Sequence, residues 1–232
     1  GAIREEGLEN RKICIVTDSH VAPLYYEAVK SALQEISSEI FSFVFEAGEK
    51  NKNLNTVQEL YKTLIENEMD RKGLLVALGG GVCGDMAGFA AAIYLRGIDF
   101  LQIPTTLLAQ VDSSVGGKTG VDLPMGKNLC GAFHQPILVL IDPQVLRTLP
   151  DVFFSDGMGE VIKYGCIRDR AFFDLLDRCG GRTGVMDHIE DVIHTCCDIK
   201  RKVVLTDERD TGERMVLNFG HTIGHGIEAV KG

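Results

Sequence analysis

Leu74-Leu75-Val76-Ala77-Leu78-Gly79-Gly80-Gly81-Val82-Cys83-Gly84-Asp85 is the stretch that decides the fold. Its apolar opening is too short for a helix and lacks polar alternation, which predicts a strand covered on both faces, as in a parallel sheet. Glycines stop that strand, and helical spacing resumes over residues 82–93. Without β-carbons the turn lets a ligand come close, and the helix N-terminus behind it offers free N–H groups to a phosphate. The spacing is not GxGxxG, and the turn follows the third predicted strand, so the ordinary dinucleotide fingerprint does not simply transfer. A nucleotide turn and a plain tight turn both remain open here.

The flanks repeat the alternation. Lys12-Ile13-Cys14-Ile15-Val16-Thr17 reads as a buried strand ended by Asp18-Ser19, followed by helical spacing through Leu24, Ala28, Leu33 and Ile36. Phe41-Ser42-Phe43-Val44-Phe45 is a second strand, and Val57, Leu60, Tyr61, Leu64 and Ile65 give a helical stripe. Further strands are expected at residues 99–103 and 137–141. This is the pattern of an α/β domain with a parallel sheet. Beyond Asp142-Pro143 the pattern turns helical, over residues 156–168, 171–178, 187–206 and 214–231, with a mobile loop expected at residues 179–184. The predicted architecture is an N-terminal Rossmann-like parallel-sheet domain, residues 1–145, followed by the first part of an all-helical C-terminal domain, residues 146–232.

The 33 acidic and 24 basic residues leave a net charge of −9, which argues against nucleic acid as a partner. No apolar stretch approaches the ~20 residues of a membrane span. The chain opens Gly1-Ala2-Ile3-Arg4-Glu5-Glu6, without Met or an apolar h-region, and reads as an internal cut rather than a secretory leader. The seven cysteines include no CxxC pair and sit mostly in apolar stretches, so reduced thiols in a cytoplasmic protein are expected.

Several polar constellations could carry chemistry. His221 and His225, at i and i+4 in Gly220-His221-Thr222-Ile223-Gly224-His225, can face one site. Glu160 and Lys163 share a helical face upstream, so Glu160 could add an oxygen ligand to a metal, while the alternative is a pair of surface histidines. Arg214 and Asn218 extend the polar face. Asp112-Ser113-Ser114-Val115-Gly116-Gly117-Lys118 ends like a P-loop, but Asp112 stands where the Walker pattern needs Gly, which excludes that ATPase motif. Lys118, Lys127 and Arg96 are good phosphate anchors in an acidic chain. Asp18, Glu49 and Lys52 follow strands, where an acid can hold a ribose hydroxyl or merely cap a helix.

Taken together, LGGGVCGDMAGFAAAIYLRG, PTTLLAQVDSSVGGKTGVDLPMGKN, GMGEVIKYG and LNFGHTIGHGIE closely resemble, in order and spacing, the motifs of the 3-dehydroquinate synthases, and the resemblance covers nearly the whole chain. It implies an NAD-binding α/β domain and a helical domain with metal and substrate residues, with the site in the cleft between them. The expected substrate is a phosphorylated sugar acid, 3-deoxy-D-arabino-heptulosonate 7-phosphate, cyclised to 3-dehydroquinate with loss of phosphate. NAD would oxidise one hydroxyl transiently, the resulting ketone would acidify the neighbouring C–H, and the substrate's own phosphate would act as base.

By motif, the resemblance assigns Glu160 and His221 to a divalent metal, Zn²⁺ or Co²⁺, and His225 to proton transfer beside it. It assigns Asp112, Lys163, Lys200, Arg214 and Asn218 to the substrate's hydroxyls and carboxylate, and Arg96, Lys118 and Asn128 to its phosphate, Arg96 acting across a homodimer. NAD falls to Asp18, Glu49, Lys52, Gly80, Gly81, Val82, Asp85, Thr105, Thr106 and Lys127. The resemblance also implies a third metal-ligating histidine, in a further His-Gly motif, and a last phosphate-binding lysine just beyond residue 232; none of His20, His134, His188, His194, His221 and His225 fits that motif. The alternatives are another sugar phosphate cyclase, a metal-dependent NAD polyol dehydrogenase, and a non-catalytic module that keeps the NAD domain.

Overall fold

The computed structural model describes residues 2–207 and 212–231. After α1 (Ala2–Glu5), strands and helices alternate: β1 (Ile13–Asp18), α2 (Ala22–Gln34), β2 (Ile40–Phe45), α3 (Leu54–Glu66), β3 (Leu74–Gly79), α4 (Gly81–Ile93) and β4 (Asp99–Pro104). An antiparallel hairpin follows, β5 (Lys118–Leu123) and β6 (Gly126–Phe133), and then β7 (Leu138–Val139) rejoins the sheet. The remainder is helical: α5 (Asp151–Arg168), α6 (Arg170–Cys179), α7 (Arg182–Asp187), α8 (Ile189–Thr206) and α9 (His221–Lys231).

The five-stranded sheet has the order β2-β1-β3-β4-β7, parallel throughout. β3 is central and buried at every residue, which is why its sequence is a continuous apolar run. Side chains alternate between two faces. Cys14, Val16, Leu75 and Ala77 pack with Val57, Leu60 and Leu64 of α3 and Met86 of α4, whereas Ile15, Leu74, Val76 and Leu101 pack with Leu33 of α2. Each buried Val, Leu, Ile or Met among them contributes about 1.5–3 kcal/mol. A third core joins Phe154, Val161 and Tyr164 of α5 to Val192, Ile193 and Cys196 of α8, and takes Leu107 and Val111 from the turn after β4. Among the described residues no helix is long and apolar enough to cross a membrane, and all seven cysteines are free.

The structure departs from the sequence reading in four places. The polar, glycine-rich stretch after Asp112, for which no strand is expected, forms the β5–β6 hairpin, because Thr119 and Val121 point inward onto α4 while Lys118 points out. The strand expected at 137–141 shrinks to β7, whose ladder spans only Leu101↔Leu138 and Gln102↔Val139. Residues 179–184 are a tight connection, with Gly180 left-handed as the cap of α6 and α7 starting at Arg182. The helix expected over 214–231 is split, with a 3₁₀ turn at Glu213–Asn218 and Gly220 at φ 83° just before α9.

Candidate active site

The chain runs from β1 to β2 on one side of the sheet, while β3 lies on the other side of β1. The strand order therefore reverses between β1 and β3, and in open α/β sheets ligands bind outside the carboxyl ends of the strands at such a point. A cavity of about 600 Å³ opens there. Asp18 from the end of β1, Glu49 and Lys52 beyond β2, Gly80, Gly81, Val82 and Asp85 beyond β3, and Thr105 and Thr106 beyond β4 all line it. Asp18 Oδ1 accepts from the backbone N–H of His20 and Val21 at 2.8 and 3.0 Å, so this acid also caps the turn into α2.

The backbone of Gly80 passes close to the opposite wall. A β-carbon there would stand 3.0 Å from Thr106 Cγ2, and one on Gly81 3.1 Å from Ser113 Oγ. Thr105 lines the cavity, and its hydroxyl Oγ1 is buried without a hydrogen-bond partner among the described residues. Lys52 donates to Asp85 Oδ2 at 2.6 Å and to Asn128 Oδ1 at 2.7 Å. Burial raises the Asp85 carboxyl above its usual range, and the Lys52 ammonium opposes that rise.

A second cavity of about 300 Å³ is lined by Asp112, Lys118, Glu160, Lys163, Lys200, Arg214, Asn218 and His221. Leu108 and Asp156 line both cavities, so the two are neighbours. What brings them together is Gly157: a β-carbon there would fall 2.6 Å from the backbone nitrogen of Leu108 and 2.7 Å from Leu107 Cβ. α5 can therefore press directly on the turn after β4. From that helix Glu160 and Lys163 project together as an ion pair, and His221 Nε2, on the first residue of α9, lies 3.9 Å from Glu160 Oε1.

Asp112 sits in a π-turn, Ala109–Ser113, a deformation that recurs at functional sites. Lys200, projecting from α8, donates to its backbone oxygen at 2.7 Å and pairs with Oδ1 at 2.9 Å. Tyr164 donates to the same Oδ1 at 2.5 Å. Burial opposes ionisation of Asp112, but the Lys200 and Lys163 ammonium groups and the Tyr164 bond outweigh it and hold the carboxyl down to about 2. Arg214 is buried and donates to the Gly116 carbonyl at 3.2 Å. The arrangement can hold a polyhydroxylated anion between buried cations and one ionised carboxylate.

Most of the predicted residues thus converge. Lys127 and Asn128, on the exposed part of the hairpin, line neither cavity, although Asn128 is tied to the first one through Lys52. Arg96 is exposed beyond the far end of α4 and lines neither cavity. The side chain of His225 lies outside the described residues. Sequence reasoning missed the second wall of the first cavity, made by Tyr25, Thr148, Leu149, Pro150 and Phe153, because nothing local says that α2 faces the start of α5. The Tyr25 hydroxyl bonds Thr148 Oγ1, and it donates to the Val145 carbonyl at 3.2 Å. Tyr164 was also missed, although Lys163-Tyr164-Gly165 belongs to a stretch already singled out.

Comparison with known proteins gives the same answer from two directions. The family model for the N-terminal part of 3-dehydroquinate synthase matches residues 42–156, and that for the C-terminal part matches residues 157–232. The 3-dehydroquinate synthase of Clostridium kluyveri is 54% identical over 220 residues, 95% of this chain and 61% of that protein. That of Clostridium beijerinckii is 53% identical over 234 residues, covering 98% and 67%. The chain thus spans roughly 61–67% of the length of these curated relatives.

Among solved structures, a 2-deoxy-scyllo-inosose synthase complexed with carbaglucose-6-phosphate, NAD⁺ and Co²⁺ superposes with a TM-score of 0.88 at 29% identity, covering 97% of this chain and 63% of that one. A 2-epi-5-epi-valiolone synthase from Streptomyces hygroscopicus with NAD⁺ and Zn²⁺ bound gives 0.87 at 29%, covering 96% and 63%. A glycerol dehydrogenase from Schizosaccharomyces pombe, with a TM-score of 0.68 at 16% identity over 99% of this chain and 61% of that one, shares the fold alone. With both family models in register and more than half of all residues shared with those relatives, the chain belongs to the 3-dehydroquinate synthase family.

Proposed function

We propose that the protein carrying this chain is a 3-dehydroquinate synthase, an NAD- and divalent-metal-dependent lyase that cyclises 3-deoxy-D-arabino-heptulosonate 7-phosphate with loss of phosphate. The observation that carries this reading is the common wall of the two cavities at Leu108 and Asp156, which sets a dinucleotide-sized cleft beside a cluster of cations and carboxylates. The close backbone at Gly80 fits NAD in the larger cavity, held by Asp18, Glu49, Lys52, Gly81, Val82, Asp85, Thr105 and Thr106. A carboxylate and an imidazole converge at Glu160 and His221 and fit Zn²⁺ or Co²⁺, both of which accept oxygen and nitrogen donors. These are two of the three protein ligands usual at a catalytic zinc, and among the described residues no group of three candidate donors occurs. When bound, NAD would take and return a hydride, and the metal would lower the pKa of the hydroxyl being oxidised.

The chain's own side chains then bind and orient. Lys200 and Arg214, both buried, attract the substrate carboxylate, Lys118 attracts its phosphate, and Asn218 and the ionised Asp112 bond its hydroxyls. Lys163 donates to Glu160, so a proton-bearing group stands beside the oxygen donor proposed for the metal. Arg96 would serve a second copy in a homodimer, which suits its exposed place in a turn with φ values of 51° and 71° at Leu95 and Arg96. Free cysteines fit a reducing, cytoplasmic setting.

The test is phosphate release from the heptulosonate phosphate with NAD and Zn²⁺, with and without chelator. Chelator-sensitive release with no net NADH is expected. Release only from a different ketose phosphate would favour another sugar phosphate cyclase, and net NADH from an alcohol would favour a polyol dehydrogenase. Identity of 52–54% to the 3-dehydroquinate synthases, against 29–31% to the other cyclases, supports the heptulosonate.

A further inference from the structure

Tyr164 lines neither cavity, yet it touches both ion pairs of the smaller one. Its side chain is wholly buried within the helical core. Its hydroxyl gives its single proton to Asp112 Oδ1, the oxygen that Lys200 already serves, and its ring lies 5.0 Å below the Lys163 ammonium. Burial, and then the nearby carboxylates, push this phenol far above its usual value, so it stays a donor. A core tyrosine that needs only satisfaction most often uses a backbone carbonyl. Spending its donor on a charged side chain at the rim of a cavity does something else: it loads both bonds onto one carboxylate oxygen and leaves Oδ2 for whatever enters.

We infer that Tyr164 is a positioning residue for the reaction, acting through Asp112 and Lys163: it fixes the carboxylate plane so that Oδ2 meets the substrate, and it seats the ammonium beside Glu160. Removal of the hydroxyl leaves Asp112 held by Lys200 alone. Lys200 also grips the Asp112 backbone oxygen, so a carboxylate released by Tyr164 can turn about that one ammonium and its plane is no longer fixed. The inference rests on the proposed function only for the identity of what enters.

The test compares Tyr164→Phe, Asp112→Asn and the double variant in the full-length protein. Tyr164→Phe keeps the ring, and with it the core and the seat for Lys163. It is expected to lower kcat/KM by about 10- to 100-fold, the effect of one charge-assisted hydrogen bond. The dissociation constant for NAD should stay within about twofold, since Tyr164 does not line that cavity. In the Asp112→Asn background the Tyr164→Phe loss should collapse toward unity, because the two act as one unit. An undiminished loss in that background, wild-type kinetics, or an NAD constant and melting temperature that move in parallel with activity would each overturn the assignment. A crystal structure of Tyr164→Phe separates this inference from the functional reading. An Asp112 carboxylate turned off its wild-type plane supports positioning whatever the substrate proves to be, and an unmoved carboxylate refutes it.

Discussion

Lys52 is 4% exposed, and a buried ammonium is tolerated only because Asp85 and Asn128 take its donors. The carboxylate depends on that partnership just as strongly. The folded pKa of Asp85 already lies above its ordinary value, so the folded state holds the proton more tightly than the unfolded chain does. Such a group favours folding at low pH and opposes it as pH rises through its folded pKa. Replacing Lys52 with Met removes the opposing ammonium, raises that pKa further and leaves a largely buried carboxylate uncompensated. The expected cost is about 2–3 kcal/mol at pH 7, below the 3–5 usual for a fully buried pair because the Asp85 side chain keeps 21% of its exposure. The deficit should shrink as pH is lowered from 7 toward the ordinary carboxylate range and Asp85 takes up its proton. Urea unfolding of both proteins across that range measures this, and a deficit that ignores pH would show that Asp85 is not the group left stranded.

At the scale of elements, α5 sets the site. Pro150 fixes its start, and Arg182 anchors that start by pairing with Asp151, donating to the Leu146 and Leu149 carbonyls at 2.8 Å and lying over the Phe154 ring. Gly157 then lets the helix touch the backbone of Leu108. In an exposed helix, Gly→Ala would gain up to ~1 kcal/mol in propensity. Here the added methyl meets a backbone nitrogen that cannot rotate away, and overpacking of this kind costs about 1–3 kcal/mol, so strain wins. Gly157→Ala is expected to lower the melting temperature and to cut kcat/KM at least about tenfold, because a shifted α5 carries Glu160, Lys163 and Asp156 with it. A variant that melts higher and keeps its activity would mean that the helix does not need this contact. How much of this was legible depended on the range of the interaction. Glu160 with Lys163, and the start of α4 after Gly80, follow from helical spacing within a few residues. The β5–β6 hairpin did not, since its alternation is diluted by Gly120, Gly126 and Gly131 and its inward side is defined by α4.

For the whole molecule, no local pattern gives the strand order, and the order is what turns a glycine turn after the third strand into the mouth of a cleft. Once β3 is placed beside β1, Asp18, Gly80 and Thr105, far apart in sequence, line one cavity. The opposite wall comes from Thr148, Leu149, Pro150 and Phe153, at the entrance to the helical layer, so a ligand there touches both layers at once. That predicts coupled stability. Cys14 and Cys83 are buried in the sheet core and Cys196 in the helical core, and burial pushes all three thiols well up, so each reacts with a thiol reagent only when its core opens. A ligand at 100 times its dissociation constant adds about 2.7 kcal/mol to the state that binds it, which slows reaction through global opening about 100-fold. Saturating NAD is therefore expected to protect Cys196 by about the same factor as Cys14 and Cys83, as read by mass spectrometry of labelled peptides. Protection of Cys14 and Cys83 with none at Cys196 would mean that the helical core opens while NAD stays bound, and the Tyr25–Thr148 side of the cleft would then contribute little to holding it.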